Sequence, residues 1–133
     1  MPTMPGTFRP SYLPTHEERR REEDRRRGSA RDRGYTSAWD KAALGHRSSH
    51  PLCVGCEAVG RVAAAEVVDH IVPHRGDRAL FWDRANWQSA CAWHHNVVKQ
   101  VLEAMWDRGE IGMADLRLDS ETAVRLTREA VSS

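Results

Sequence analysis

Apolar and polar positions alternate with different periods along the chain, and each change of period marks an element. In "YTSAWDKAALGH", Tyr35, Trp39 and Ala43 share one face, so the spacing predicts a short helix with Gly45 placed to stop it. "SSHPLCVGCEAVG" is rich in turn formers. "AAAEVVDHIVP" holds a β-branched run from Val67 to Val72, which predicts a strand ending at Pro73. Asp69 and His70 interrupt that run. "HRGDRALFWDRAN" predicts a loop with its glycine at the tip, and "WQSA" a short return strand. From about Ala92 to Arg108 apolar residues recur with helical spacing (Val97, Val101 and Ala104; Val98, Leu102 and Met105), and Gly109 ends the pattern. A last helix is predicted near 120–130, capped by Ser120 or Asp119, with Ala123, Leu126 and Ala130 on one side.

The first 34 residues break with this patterning. "HEERRREEDRRRGSARDRG" alternates acid and base in short blocks and has no apolar stripe to bury. It reads as a mobile arm or a frayed helix, either merely solvated or in contact with nucleic-acid phosphate through its arginines. Charge sharpens the contrast. Residues 1–34 carry nine Arg against six Asp and Glu, a net of +3, while the rest carries eleven Lys and Arg against thirteen acids, a net of −2. The organisation expected is an arm over 1–34 and one domain over 35–133, with a motif core at 50–108. No apolar run reaches the roughly 18 residues a membrane span needs. "MPTMPGTFRPSYLP" lacks the apolar core of a signal peptide, so a cytoplasmic location is expected.

The chain has three cysteines, and an odd count in a cytoplasmic chain argues for metal ligation over disulfides. Cys53 and Cys56 form a CxxC, a tight two-thiolate knuckle. Cys91 and His94, at i and i+3 on one helical face, supply a second half-site. Together they predict a closed, tetrahedral Cys₃His site for structural Zn²⁺, contributing folding energy to a small, loop-rich core. His50 is a competing candidate for the same ion.

A second constellation lies between the half-sites. Neighbours on a strand point to opposite faces, so Asp69 and His70 serve different surroundings. Asp69 and His95 would give a divalent ion one carboxylate and one imidazole and leave the rest of its coordination open, as phosphodiester hydrolysis requires. His70 suits the role of general base, its pKa lying near working pH. Asn86 can hold the imidazole or its loop in place. His94 and His95 then belong to different metals, since adjacent helical residues diverge by about 100°.

The set formed by "PLCVGC", "EVVDHIVPHRGDRALFWDRANWQSAC" and "HHNVVK" resembles the HNH endonucleases, specifically the small phage and prophage type; "RGYTSAWDKA" resembles the segment leading into that motif. The resemblance spans about residues 33–103. It implies a small α+β fold with a ββα-metal core and flanking helices. A hairpin would bear Asp69 and His70, a loop Asn86 and a helix His95. It implies DNA cleavage or nicking with one divalent metal, Mg²⁺ or Mn²⁺, leaving 5′-phosphate and 3′-hydroxyl ends. His70 would be the general base, Asn86 its orienting residue, and Asp69 and His95 the ligands. The implied partners are double-stranded DNA and, in a bacterial host, phage terminase or portal proteins. The chain departs from the pattern where His94 replaces the usual fourth cysteine, and where the usual Lys three residues past the last His is Val98, with Lys99 one later.

His74, Arg75 and Lys99 are the candidates for contact with DNA. For His74 and Arg75 a plain loop role is the alternative. Trp82 and Trp87 can stack on bases or pack in the core. The competing functions are a non-catalytic, zinc-stapled DNA-binding or adaptor module and a restriction or homing nuclease. The chain has no separate recognition domain of useful size, which speaks against the last.

Overall fold

The computed structural model describes residues 13–27 and 33–132. The chain divides into two compact units that meet in sequence between Tyr35 and Thr36. In the first, α1 (His16–Arg27) starts from a reciprocal cap. Thr15 Oγ1 accepts from the Glu18 N–H at 3.0 Å, and Glu18 Oε2 accepts from the Thr15 N–H at 3.0 Å. The helix is polar all round, so its support is this cap and pairs such as Arg25 with Glu22. Among the described residues no helix is long and apolar enough to cross a membrane.

The second unit is a small α+β fold. α2 (Ser37–Ser49) and α3 (Val54–Ala58) precede a two-stranded antiparallel hairpin of β1 (Val67–His70) and β2 (Trp87–Ala90). α4 (Arg78–Trp82) and a 3₁₀ turn, Arg84–Asn86, fill the connection between the strands. A wide π turn at His94–Val98 opens α5 (Lys99–Asp107), and after a 3₁₀ turn at Met113–Leu116 the unit ends in α6 (Glu121–Ser132).

The register pairs Val67 with Ala90, Val68 with Ser89, Asp69 with Gln88 and His70 with Trp87. Side chains alternate along a strand, so each cross-strand row belongs to one face. Val68 and Trp87 pack with Trp39 and Ala43 of α2 and with Phe81 of α4. On the other face, Ala90 joins Val98, Leu102, Leu116, Leu118 and Ala123, with Val67 packed against them. Both faces of the hairpin are therefore core. That is why Asp69 and His70, pointing opposite ways, are both buried.

α2 runs through Gly45 to Ser49 where the sequence places a stop at the glycine, and it closes with the His50 N–H donating to the His46 carbonyl at 2.8 Å. Three further elements differ from the sequence pattern. β1 stops at His70, not Pro73, because the next amides leave the ladder for Asn86. The Ile71 N–H donates to the Asn86 C=O at 2.8 Å and the Val72 N–H to Asn86 Oδ1 at 2.8 Å. The expected loop contains α4, which Asp77 caps by accepting from the Ala79 and Leu80 N–H groups at 2.9 and 3.2 Å. Its glycine tip is real: Gly76 has φ 85° and follows Arg75 at φ 47°. The long helix of 92–108 is interrupted by the π turn, then closes where expected. The Gly109 and Glu110 N–H groups donate to the carbonyls of Trp106 and Met105, a Schellman pattern that needs the left-handed Gly109 (φ 74°). Ser120, of the two expected caps, caps α6 by accepting from the Ala123 N–H at 3.1 Å.

Candidate functional site

Cys53 is the N-cap of α3, and its sulfur receives the Cys56 N–H at 3.5 Å; the Cys91 sulfur receives the His94 N–H at 3.4 Å. Each half-site thus folds its own backbone toward a sulfur. The halves meet. His94 Nδ1 lies 3.5 Å from Cys53 Sγ, 3.5 Å from Cys56 Sγ and 3.4 Å from Cys91 Sγ, and the Cys56 and Cys91 sulfurs are 3.9 Å apart. All four donor atoms lie within 4.8 Å of one another. A tetrahedral zinc with ordinary bond lengths has sulfur–nitrogen edges of about 3.6 Å and sulfur–sulfur edges of about 3.8 Å. The three sulfur–nitrogen distances and the Cys56–Cys91 distance match such an ion, so the group is set to hold one.

The two thiols of the knuckle are shifted in opposite directions. Burial, reinforced by the Cys53 and Cys91 sulfurs, raises the Cys56 thiol to about 12. Burial also acts to raise Cys53, but hydrogen bonds from His94 and from the Cys91 and Cys56 amides bring it down to about 6. Three sulfurs this close repel one another as thiolates, and a cation relieves that repulsion. His50 stands outside the group, its ring stacked on His46 at 4.5 Å.

The second set gathers where β1 faces the start of α5. Asp69 Oδ1 is 2.9 Å from His95 Nδ1. Two ligands at neighbouring vertices of an octahedral ion are separated by about 3.0 Å, given bonds of about 2.1 Å. The pair therefore suits a divalent ion, and His95 is partly exposed on its open side. The other carboxylate oxygen is occupied: Asp69 Oδ2 accepts from Gln88 Nε2 at 2.9 Å and lies 3.1 Å from Lys99 Nζ. Gln88 is itself fixed, since its Oε1 accepts from the Leu118 N–H at 2.9 Å. Asp69 consequently offers one oxygen. Its hydrogen bond raises the His95 pKa above the ordinary imidazole value, with burial opposing.

His70 sits on the opposite face of β1. Its Nε2 is 3.0 Å from the Phe81 carbonyl, which can only accept, so Nε2 carries the hydrogen and Nδ1 the lone pair. The same carbonyl accepts from Trp87 Nε1 at 2.9 Å. Trp39 stacks on the His70 ring at 4.8 Å. Burial, the largest influence, lowers the His70 pKa and keeps the ring neutral near pH 7.

Asn86 clamps the loop. Its amide donates to the Val72 and Leu80 carbonyls at 2.9 and 3.3 Å and accepts from the Val72 N–H. Leu80 precedes Phe81, so the clamp fixes the carbonyl that fixes His70. His74 Nδ1 accepts from the Gly76 N–H at 3.1 Å, and its ring lies 5.0 Å from that of His70. Arg75 is exposed, pairs with Asp107 at 2.6 Å and lies over Trp106.

Lys99 requires a correction. The sequence offered it as a contact for DNA, but its side chain is fully buried. Its ammonium donates to the His70 carbonyl at 2.7 Å and to Glu103 at 3.0 Å, beside Asp69. It braces the site from within. Trp87 is core, while Trp82 is partly exposed. The sequence reasoning also missed Gln88 and the Phe81 carbonyl. Gln88 left one signal, a polar residue in a short strand directly opposite Asp69.

No family model matches the chain, and no curated protein matches it. Among solved structures it is similar to the crystal structure of the deep-sea thermophilic bacteriophage GVE2 HNH endonuclease with manganese ion. The match has 24% identity and a TM-score of 0.47, and covers 74% of this chain and 100% of that one.

Proposed function

We propose that this chain is a metal-dependent DNA endonuclease of the HNH type, nicking or cleaving duplex DNA by phosphodiester hydrolysis. One observation carries the reading. Asp69, with His95 at ligand spacing from its Oδ1, shares β1 with a neutral, carbonyl-tethered His70. A divalent ion held by Asp69 and His95, Mg²⁺ or Mn²⁺, would supply Lewis-acid stabilisation of the phosphate oxygens. His70 Nδ1 takes a proton from water as its oxygen attacks phosphorus. The bond to O3′ breaks, leaving a 5′-phosphate, and O3′ takes a proton from solvent water to become the 3′-hydroxyl. The Phe81 carbonyl holds Nε2–H throughout and stabilises the imidazolium that forms. Asn86 is a positioning residue acting through the loop. His74 and the exposed Arg75 stand on that loop and contact the DNA backbone. Cys53, Cys56, Cys91 and His94 hold Zn²⁺ as a structural ion, a closed set with no open position.

The domain spans 35–133 and the charged arm 1–34. The resemblance of the motif set supports a phage or prophage setting in the cytoplasm of a bacterial host, with terminase or portal proteins as partners in DNA packaging. Supercoiled plasmid tests the activity. Protein stripped of loosely bound divalent ions should leave it intact, and added Mg²⁺ or Mn²⁺ should give nicked or linear product. DNA binding without cutting at any ion concentration would instead identify a non-catalytic adaptor.

A further inference from the structure

Two residues outside the Cys₃His group are shaped to its imidazole. Gly55 lies inside the CxxC, under the His94 ring. A Cβ placed on Gly55 would stand 2.2 Å from His94 Cδ2, 2.5 Å from Nε2 and 2.7 Å from Cγ. Carbon atoms pack at about 3.5 Å, so even alanine cannot occupy this position with the ring in place. The ring has nowhere to retreat, being fully buried with Nδ1 directed at three sulfurs.

The far edge of the ring meets α6. Thr127 Oγ1 lies 3.1 Å from His94 Nε2 and donates its own hydrogen to the Ala123 carbonyl at 2.8 Å. A hydroxyl with its one hydrogen committed can only accept from the ring. Nε2 must then carry the ring hydrogen, which leaves the lone pair on Nδ1, facing the sulfurs. Thr127 is itself fully buried.

We propose that Gly55 and Thr127 determine the identity of the fourth metal ligand: Gly55 makes room for an imidazole, and Thr127 fixes the tautomer that ligates through Nδ1 and ties α6 to the metal. The proposal rests on the reading that this group holds Zn²⁺. A cysteine at position 94 would place no ring over Gly55 and offer no N–H to Thr127. The two positions should therefore matter only while residue 94 is histidine.

The test uses the full chain and reads zinc content and zinc affinity by competition with a chromophoric chelator. Wild type should hold one zinc. Thr127→Val should weaken it on the order of 10–100-fold, as loss of an outer partner does, while Thr127→Ser stays within a few-fold. Gly55→Ala should weaken it more. On a His94→Cys background, Gly55→Ala and Thr127→Val should each add nothing, a coupling that a purely structural role would not produce. Equal costs on both backgrounds would overturn the proposal. If His94→Cys does not fold, the Thr127 pair decides: Thr127→Val matching Thr127→Ser in affinity overturns it. Wild type without zinc would overturn the metal reading as well, so the two failures are distinguishable.

Discussion

Lys99→Met keeps most of the side-chain volume and deletes the charge. The ammonium it removes is fully buried and lies within 3.1 Å of Asp69, Glu103 and the His70 carbonyl. Glu103 is partly exposed and can turn to water. Asp69 cannot, being 3% exposed, but it keeps Gln88 and His95 as partners. Breaking a buried pair costs about 3–5 kcal/mol, and the retained partners place this case near the lower end. About 3 kcal/mol in a domain of this size corresponds to a fall in Tm on the order of 12–24 °C. Urea and thermal unfolding should be run at a fixed zinc excess, because ligand concentration shifts apparent stability. A Lys99→Met protein within about 1 kcal/mol of wild type would refute the idea that this cation neutralises the Asp69 carboxylate from inside.

His94→Ala should lose bound zinc, whereas His95→Ala should keep it and lose Mg²⁺- or Mn²⁺-dependent cleavage; metal analysis beside the plasmid assay separates them, and the reverse pattern would mean the roles are exchanged. His46 makes its own contribution to the pH dependence of stability, because its pKa is lowered by burial and then by His50. Between that lowered value and the ordinary one, the unfolded chain binds a proton that the folded chain does not, so stability rises with pH through this window and is lost in acid. His46→Gln should lose less stability than wild type between neutral pH and about pH 5.5 in urea titrations, and parallel profiles would contradict the assignment.

The candidate site residues were legible because their types conflict with their surroundings. Asp69 and His70 stood out as polar residues inside a β-branched run, and the three cysteines with His94 stood out by spacing alone. The division of His94 from His95 also followed from helical geometry, and each has a separate set of neighbours in the fold. Direction toward the interior was not legible. Lys99 reads as an exposed cation on a helix, yet it points into the site; its i,i+4 spacing to Glu103 was the available hint. α4 is five residues long, too short for a helical period to appear, though Asp77 ahead of an apolar run was a capping signal. The end of β1 depended on Asn86, many residues away, and local propensity carries no information about such a clamp.

The central claim is that His70 removes the proton from the attacking water, and one comparison tests it most directly. Wild type and His70→Ala are assayed on supercoiled plasmid across Mg²⁺ and Mn²⁺ concentrations, with zinc content and unfolding measured on the same preparations. Wild type should nick or linearise the plasmid with added ion. His70→Ala should retain its zinc and its fold and lose cleavage. Full activity in His70→Ala, or a folded, zinc-loaded wild type that cuts nothing with either ion, would contradict the account.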